Sequence, residues 1–402
     1  MRVLHDLRRR RLLAAPDVAA VTVPLRRDHP GGTSFQLAYA IAGTEQAGPP
    51  LVVLPGGPGL ASVLPYRGVR RALAAAGFRV LVPEHRGVGL SGLLPGGARL
   101  PRDAMRMDEA AADVLEVLDG CGIDKAFLAG SSYGGYLALT VALQAPDRFL
   151  GLILDSTAAS ARHHERELQR ALFWRGDDPR TAEVARLVRL VAEWGLAGEE
   201  ELVGVVPAVF ELAGPEVLVA LLRRVAAGRR PLLWRRLASA VAAEVASGKP
   251  LVFEPDPALA IWFAEIDRTP PDGQPFDRAL LMESERRRYA DLPFRPFELA
   301  ERLGELAFPA VVLAGDRDAR VPQAAANELV DRLPDARLVR FPHAGHDLLR
   351  MRTRAVVRIV SALARGGTAE AARIAEQVRH ARPRAEQTLA LLARLRPGPR
   401  SD

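Results

Sequence analysis

Gly130-Ser131-Ser132-Tyr133-Gly134 is a G-x-S-x-G. In that spacing the central serine sits on a tight strand-to-helix turn, and the glycines two residues either side let backbone and helix approach closely. Ser132 holds the central position, so it, and not Ser131, is the candidate nucleophile. An alcohol is a poor nucleophile near neutrality and needs a base that a third group orients. Two downstream segments offer them, Gly315-Asp316-Arg317-Asp318 and Phe341-Pro342-His343-Ala344-Gly345-His346. We assign Asp318 as the orienting acid and His346 as the base. Asp316 is the rival acid, but it stands so close to a strand end that a turn-capping role suits it better. His343 is the rival base, but the glycine before His346 suits a backbone bent to present an imidazole. His5, His163 and His164 read as surface residues. The charge that develops during acyl transfer needs two amide donors, and Tyr133 N–H, just after the nucleophile, is one. The loop Leu54-Pro55-Gly56-Gly57-Pro58-Gly59 supplies the other; Pro58 has no N–H, so Gly57 is the candidate. A phosphate site is not expected, because neither a G-x-G-x-x-G nor a P-loop lysine is present.

These groups must be held by a sheet. Short apolar runs at 51–54, 80–82, 126–129 and 152–154 alternate with amphipathic stretches at about 66–76, 107–119 and 134–146. Buried strands alternating with helices predict a mostly parallel sheet with helices on both faces. Two opening strands, 21–25 and 35–41, flank a turn at 29–32. From about 157 to 300 the pattern is helical, with one apolar run at Leu251-Val252-Phe253, and is too long for a loop. The strand–helix rhythm resumes at 310–314, 323–333 and 336–341, then a helix near 348–364 ends at Gly366-Gly367. The expected organisation is an α/β core over 1–156, an inserted helical cap over 157–300, core again over 301–365, and a helical extension over 366–402. In this arrangement Asp318 and His346 both follow carboxyl ends of strands, where catalytic groups of open α/β sheets collect.

The 402 residues are about 49% hydrophobic, enough to bury a large core without staples, which excludes a disordered chain or a disulfide-rich miniprotein. Cys121 is the single cysteine, so no intrachain disulfide forms, and no Cys/His spacing offers a metal site. The formal charge is +7, with Lys only at 125 and 249 and arginine elsewhere. Residues 1–27 hold seven Arg against two Asp, and residues 365–402 eight Arg against four acids. The excess thus sits in the termini, and with 5% aromatics the pattern argues for solvated tails and against nucleic-acid binding. The apolar stretch after Arg8-Arg9-Arg10-Arg11 is too short for a signal-peptide core, and nowhere do eighteen apolar residues run together. The expectation is a soluble, cytoplasmic protein with no membrane partner, no metal and no cofactor.

Taken together, the residues resemble the prolyl aminopeptidase and tripeptidyl aminopeptidase group of α/β-hydrolases. The resemblance is carried by the loop 55–59, by Glu84-His85-Arg86-Gly87-Val88-Gly89-Leu90-Ser91, and by Gly130-Ser131-Ser132-Tyr133-Gly134-Gly135. Ala145-Pro146-Asp147-Arg148-Phe149, leading into Leu152-Ile153-Leu154-Asp155, and the late Gly-x-x-Asp and Gly-His add to it, over roughly 20–155 and 305–350. It implies an α/β-hydrolase fold with a helical cap, and a cofactor-free serine exopeptidase that removes an N-terminal residue, often proline, from a small peptide. Two departures weaken the claim to proline: the group usually has Asp-Gln-Arg-Gly where Glu84-His85-Arg86-Gly87 stands, and His or Asn where Pro55 opens its loop.

Such an enzyme must hold a protonated amine, which demands an inward-facing carboxylate in the cap. Glu265, in Ala260-Ile261-Trp262-Phe263-Ala264-Glu265-Ile266-Asp267, is the best candidate, at a place where the group tends to carry its amine-binding acid; Asp267 and Glu254 are the alternatives. Trp262 and Phe263 either line the substrate pocket or pack the cap. Two other readings remain open: a carboxylesterase or lactone hydrolase with the same three residues and no amine-holding acid, and a non-catalytic ligand-binding protein on the same fold.

Overall fold

The computed structural model describes residues 2–28, 32–45, 48–161 and 165–381, with nothing said of the side chains of 2–6 and 241–247. The turn expected at 29–32 falls largely outside these residues, as do His163, His164 and the end of the C-terminal extension. Eight strands form one sheet: β1 (Val18–Pro24), β2 (Ser34–Ala42), β3 (Pro50–Leu54), β4 (Arg79–Pro83), β5 (Ala126–Ser131), β6 (Phe149–Asp155), β7 (Ala310–Gly315) and β8 (Ala336–Phe341). Their order is β1-β2-β4-β3-β5-β6-β7-β8. The β1/β2 and β2/β4 pairs are antiparallel and the rest of the sheet is parallel.

The central strands are continuous apolar runs because both faces of the sheet are covered. Successive side chains point to opposite faces, so Val52, Leu54, Leu128, Leu152, Leu154 and Val312 enter one core layer, shared with the helices Met107–Gly120, Tyr133–Gln144 and Gln323–Arg332. Leu51, Val53, Ala129, Ile153, Val311 and Leu313 enter the other, shared with Arg67–Ala75 and the long helix Thr353–Val378. That long helix is interrupted at Gly366 and Gly367 (φ 68°), where the sequence predicts an end. Beyond the break, Ala371, Ala375 and Val378 pack into the second layer and Thr368 Oγ1 donates to Asp335 at 2.7 Å, so this part of the extension lies on the body.

Between β6 and β7 the chain is helical, and it has a core of its own built on Phe173, Val188, Val206, Phe210, Leu218, Leu222, Trp234 and Phe276. Phe173 meets Phe210 edge-on at 5.2 Å. Ala319, from the loop after β7, is buried in that same cluster. The apolar run 251–253 adds no strand to the sheet: Phe253 makes isolated bridges to Leu60 and Lys249, and Val252 O accepts from Ala61 N at 2.9 Å. The basic N-terminus is a helix, Arg2–Leu13, and Arg9 donates to the carbonyl of Gly89 at 2.8 Å and to that of Leu90. One arginine of the basic run is therefore spent on docking.

Candidate active site

β5 ends at Ser131 and the helix Tyr133–Gln144 begins two residues later, leaving Ser132 alone in the corner. Its φ of 53° lies where L-residues rarely settle, so the turn must be held from outside. Ser132 N donates to Asp155 O at 2.8 Å and Thr157 Oγ1 donates to Ser132 O at 2.9 Å. The glycines are required by contact: a Cβ at Gly130 would lie 2.0 Å from Gly134 O, and one at Gly134 2.2 Å from Leu54 O. Ser131 is fully buried and its hydroxyl donates to Asp347, in the loop after β8, at 3.3 Å, while Ser132 is half-buried.

Asp318 and His346 meet. His346 Nδ1 lies 3.0 Å from Asp318 Oδ2, and both side chains are nearly enclosed. A carboxylate at Nδ1 fixes the proton there and leaves Nε2 as the basic nitrogen. The other carboxylate oxygen, Oδ1, accepts the N–H groups of Arg320 at 2.9 Å and Val321 at 3.0 Å. Burial opposes ionisation of both groups, but their mutual attraction outweighs it: Asp318 is held below the usual carboxylate range and His346 is raised to about 9. The rivals go elsewhere. Asp316 sits 3.9 Å from an Arg180 nitrogen, and His343 Nδ1 faces Arg317 at 3.2 Å.

Asp155, at the carboxyl end of β6, ties the two loops together. Its carbonyl holds Ser132 N, while its buried carboxylate accepts Leu348 N at 3.1 Å and Leu349 N at 2.9 Å, two and three residues past His346. The Ser131–Asp347 bond adds a direct link between the residue before Ser132 and the residue after His346.

The Gly-Pro loop lies against the elbow. A Cβ at Gly56 would lie 3.0 Å from Ser131 O and 3.5 Å from Ser132 Cβ, and Gly56 N already donates to Tyr66 Oη at 3.0 Å. Gly57, at φ 129°, follows directly. Tyr133 N opens its helix, so it has no acceptor within the helix. The Tyr133 phenol is held by His85, whose Nε2 lies 2.9 Å from it and whose Nδ1 faces Arg86 O at 2.7 Å. Burial lowers His85 to about 4, so it stays neutral, carries its proton on Nδ1 and accepts from the phenol. The void beside this loop, lined by Pro55, Gly56, Gly59, His85, Tyr133 and Leu137, has about 10 Å³ of free volume, roughly one water. A larger cleft of about 480 Å³ lies inside the helical insertion, between Trp174, Leu202, Phe276 and Leu280, away from all the candidate residues.

Among the acids of the insertion, Glu265 is buried and both of its oxygens lie 3.0 Å from Met107 N, at the start of the helix Met107–Gly120. Burial raises it to about 8, and its charge bears on Tyr133. Phe263 is 2% exposed and stacks on Tyr289, so it packs; Trp262 is half-buried against the same core layer. Glu254 accepts Leu251 N at 3.2 Å, and Asp267 caps its own turn through Thr269 N. Glu211 was not singled out from the sequence, yet it is buried against both the Asp318 and His346 loops. No residue spacing announces it, because the contact crosses more than a hundred positions.

The model for the alpha/beta hydrolase fold matches residues 49–188, and the model for a TAP-like protein matches 290–375. The chain has the α/β-hydrolase fold. Epoxide hydrolase B of Mycobacterium tuberculosis is 37% identical over 125 residues, 31% of this chain and 33% of that protein. The chain thus matches about a third of that relative's length. A 2-hydroxy-6-oxo-6-phenylhexa-2,4-dienoate hydrolase from Burkholderia cepacia is 26% identical over 322 residues, covering 79% of this chain and 86% of that protein. The esterase RhEst1 from Rhodococcus sp. ECU1013 superposes with a TM-score of 0.51 at 19% identity, over 87% of this chain and 99% of that one. Among the described residues no helix is long and apolar enough to cross a membrane, and no group of three His, Cys, Asp or Glu gathers as a metal site.

Proposed function

We propose that this protein is a serine hydrolase of the aminopeptidase type. The observation that carries the reading is the 3.0 Å pair of His346 and Asp318 at the strand ends, together with the 3.3 Å bond by which Ser131, next to the serine of the strained corner, meets Asp347, next to His346. In the reaction Ser132 Oγ attacks the scissile carbonyl carbon and its proton passes to His346 Nε2. The carbonyl oxygen, now negative, receives the N–H groups of Tyr133 and Gly57; loss of one such donor costs about 10²–10³ in rate in other enzymes. The tetrahedral intermediate collapses, the leaving amine takes the proton from His346, and water, deprotonated by the same imidazole, releases the acyl group. Asp318 stabilises the imidazolium throughout. No metal or cofactor enters these steps.

The aminopeptidase part is supported by the motif resemblance and the TAP-like match at 290–375, and by a buried acid, Glu265, within electrostatic reach of Tyr133. A substrate ammonium beside Glu265 would favour its ionised form. One observation favours a second reading, a carboxylesterase: both Glu265 oxygens already face Met107 N, an occupation that a free-amine substrate would have to share.

The test compares an aminoacyl-naphthylamide, its N-acetylated form and a nitrophenyl ester. The peptidase reading expects preference for the free amine, and a Glu265→Gln variant whose KM rises for that substrate more than for the ester. Preference for the neutral ester selects the esterase. Ser132→Ala is expected to lose on the order of 10⁶ in kcat on every substrate with an unchanged Tm; retained turnover would place the chemistry elsewhere.

A further inference from the structure

Glu211 lies in the last turn of the helix Glu199–Ala213 of the insertion, where that insertion reaches the loops of the candidate acid and base. Oε1 accepts the N–H of Ala319 at 3.1 Å, and Oε2 lies 3.5 Å from Arg320 Nε. On its other side it meets the residue before His346: a Cβ at Gly345 would lie 2.6 Å from Glu211 Cβ and 3.0 Å from its Cα and carbonyl oxygen. Gly345 is therefore a glycine because Glu211 is packed onto it. One buried side chain touches the residue following Asp318 and the residue preceding His346.

Three consecutive amides after Asp318 are each bound by a carboxylate. Arg320 N and Val321 N go to Asp318 itself, and Ala319 N goes to Glu211. The Ala319 side chain is buried in the insertion's own core, and the Arg317 guanidinium fills the space beside Gly214, one turn beyond Glu211. The whole turn 317–320 is thus bracketed by the end of this helix.

We propose that Glu211 is a positioning residue: through Ala319 and Gly345 it sets the separation and alignment of the Asp318 and His346 loops, so that the helical insertion holds the acid–base pair in working geometry. This rests on the reading of Asp318 and His346 as that pair. The charged groups that face Glu211 are Arg320, Asp318 and His346, with Arg317 one turn away. Burial pushes the Glu211 carboxyl up from its ordinary range, and in its ionised form its charge favours protonated His346. A displacement of about 1 Å in such a pair can cost as much as 10²-fold in rate.

The experiment follows covalent labelling of Ser132 by diisopropyl fluorophosphate, which needs a working serine–histidine pair but no knowledge of the substrate. Glu211→Ala is expected to slow labelling roughly 10- to 100-fold. Glu211→Gln keeps the shape and the acceptor for Ala319 N and should restore the rate to within about threefold, with the acid limb of the labelling–pH profile at lower pH than in the parent. Full-rate labelling of Glu211→Ala overturns the proposal. So does a loss in both variants that merely tracks their Tm, with the acid limb unmoved. Should Glu211→Ala not fold, Glu211→Asp, which keeps the charge but shortens the reach to Ala319 N, takes its place: slowed labelling is expected, and labelling at the parent rate overturns the proposal. Failure of the underlying reading looks different: Asp318→Asn would then label at the parent rate whatever position 211 holds.

Discussion

His346 illustrates how two opposed effects are resolved by magnitude. Burial alone would lower an imidazole below 6.5, but the Asp318 charge and hydrogen bond raise this one to about 9. In the proposed reaction the base must be unprotonated to accept the Ser132 proton, so kcat/KM on the neutral nitrophenyl ester, which has no amine to titrate, should rise with pH up to about 9 and then level. In Asp318→Asn the raising charge is gone; the limb should fall by more than one pH unit, and kcat should drop on the order of 10⁴ because the amide no longer fixes the tautomer. A pH–rate profile of both proteins checks this, and an unmoved limb would remove Asp318 as the partner. Glu265 shows the limit of type and neighbourhood. The sequence marks an acid in an apolar stretch, and the acid is buried beside the candidate site; what its surroundings in the chain do not reveal is the Met107 amide, 158 positions away, that already meets both oxygens.

Gly130, Ser132 and Gly134 were legible because a strand-to-helix corner imposes fixed offsets along the chain, and the central strands were legible because a sheet covered on both faces demands unbroken apolar runs. The docking of the N-terminal helix was not, since a run of four arginines looks the same whether solvated or, as with Arg9, bound to carbonyls. Nor was the fate of 251–253, whose apolar residues serve a bridge to the Gly-Pro loop instead of a sheet edge. Close approach at the corner gives a direct stability test. An added methyl at Gly130 meets Gly134 O at 2.0 Å and must push the helix Tyr133–Gln144 off the sheet, so Gly130→Ala should cost about 3 kcal/mol. Gly96, at φ 95° with open space around it, isolates the backbone effect, and Gly96→Ala should cost only about 1 kcal/mol. Denaturant midpoints measure both. Equal losses would mean that the corner is not sterically closed.

Buried acids make the folded chain sensitive to alkali. Burial raises Glu84 to about 7 and Glu265 to about 8, while Asp318 raises His346 to about 9 against the opposing effect of burial. In the unfolded chain the two glutamates are ionised well below pH 6.5 and the histidine is neutral above it. Between pH 6.5 and 9 the native state therefore binds more protons than the unfolded state, and stability must fall as pH rises through this window. Other shifted groups do not oppose the trend there. Glu183 and Glu283, lowered to about 2 by their arginine partners, are ionised throughout, His85 at about 4 is neutral throughout, and Asp155 at about 6 has largely ionised at the lower edge. Tm should drop between pH 6.5 and 9 by on the order of 5 °C, since about 1 kcal/mol corresponds to a few degrees in a chain of this size. Glu265→Gln removes one contributor, so its Tm should decline less steeply than the parent's up to pH 8. Calorimetry across the window decides: a parent Tm that holds level or climbs would mean that these three groups do not keep their protons in the fold.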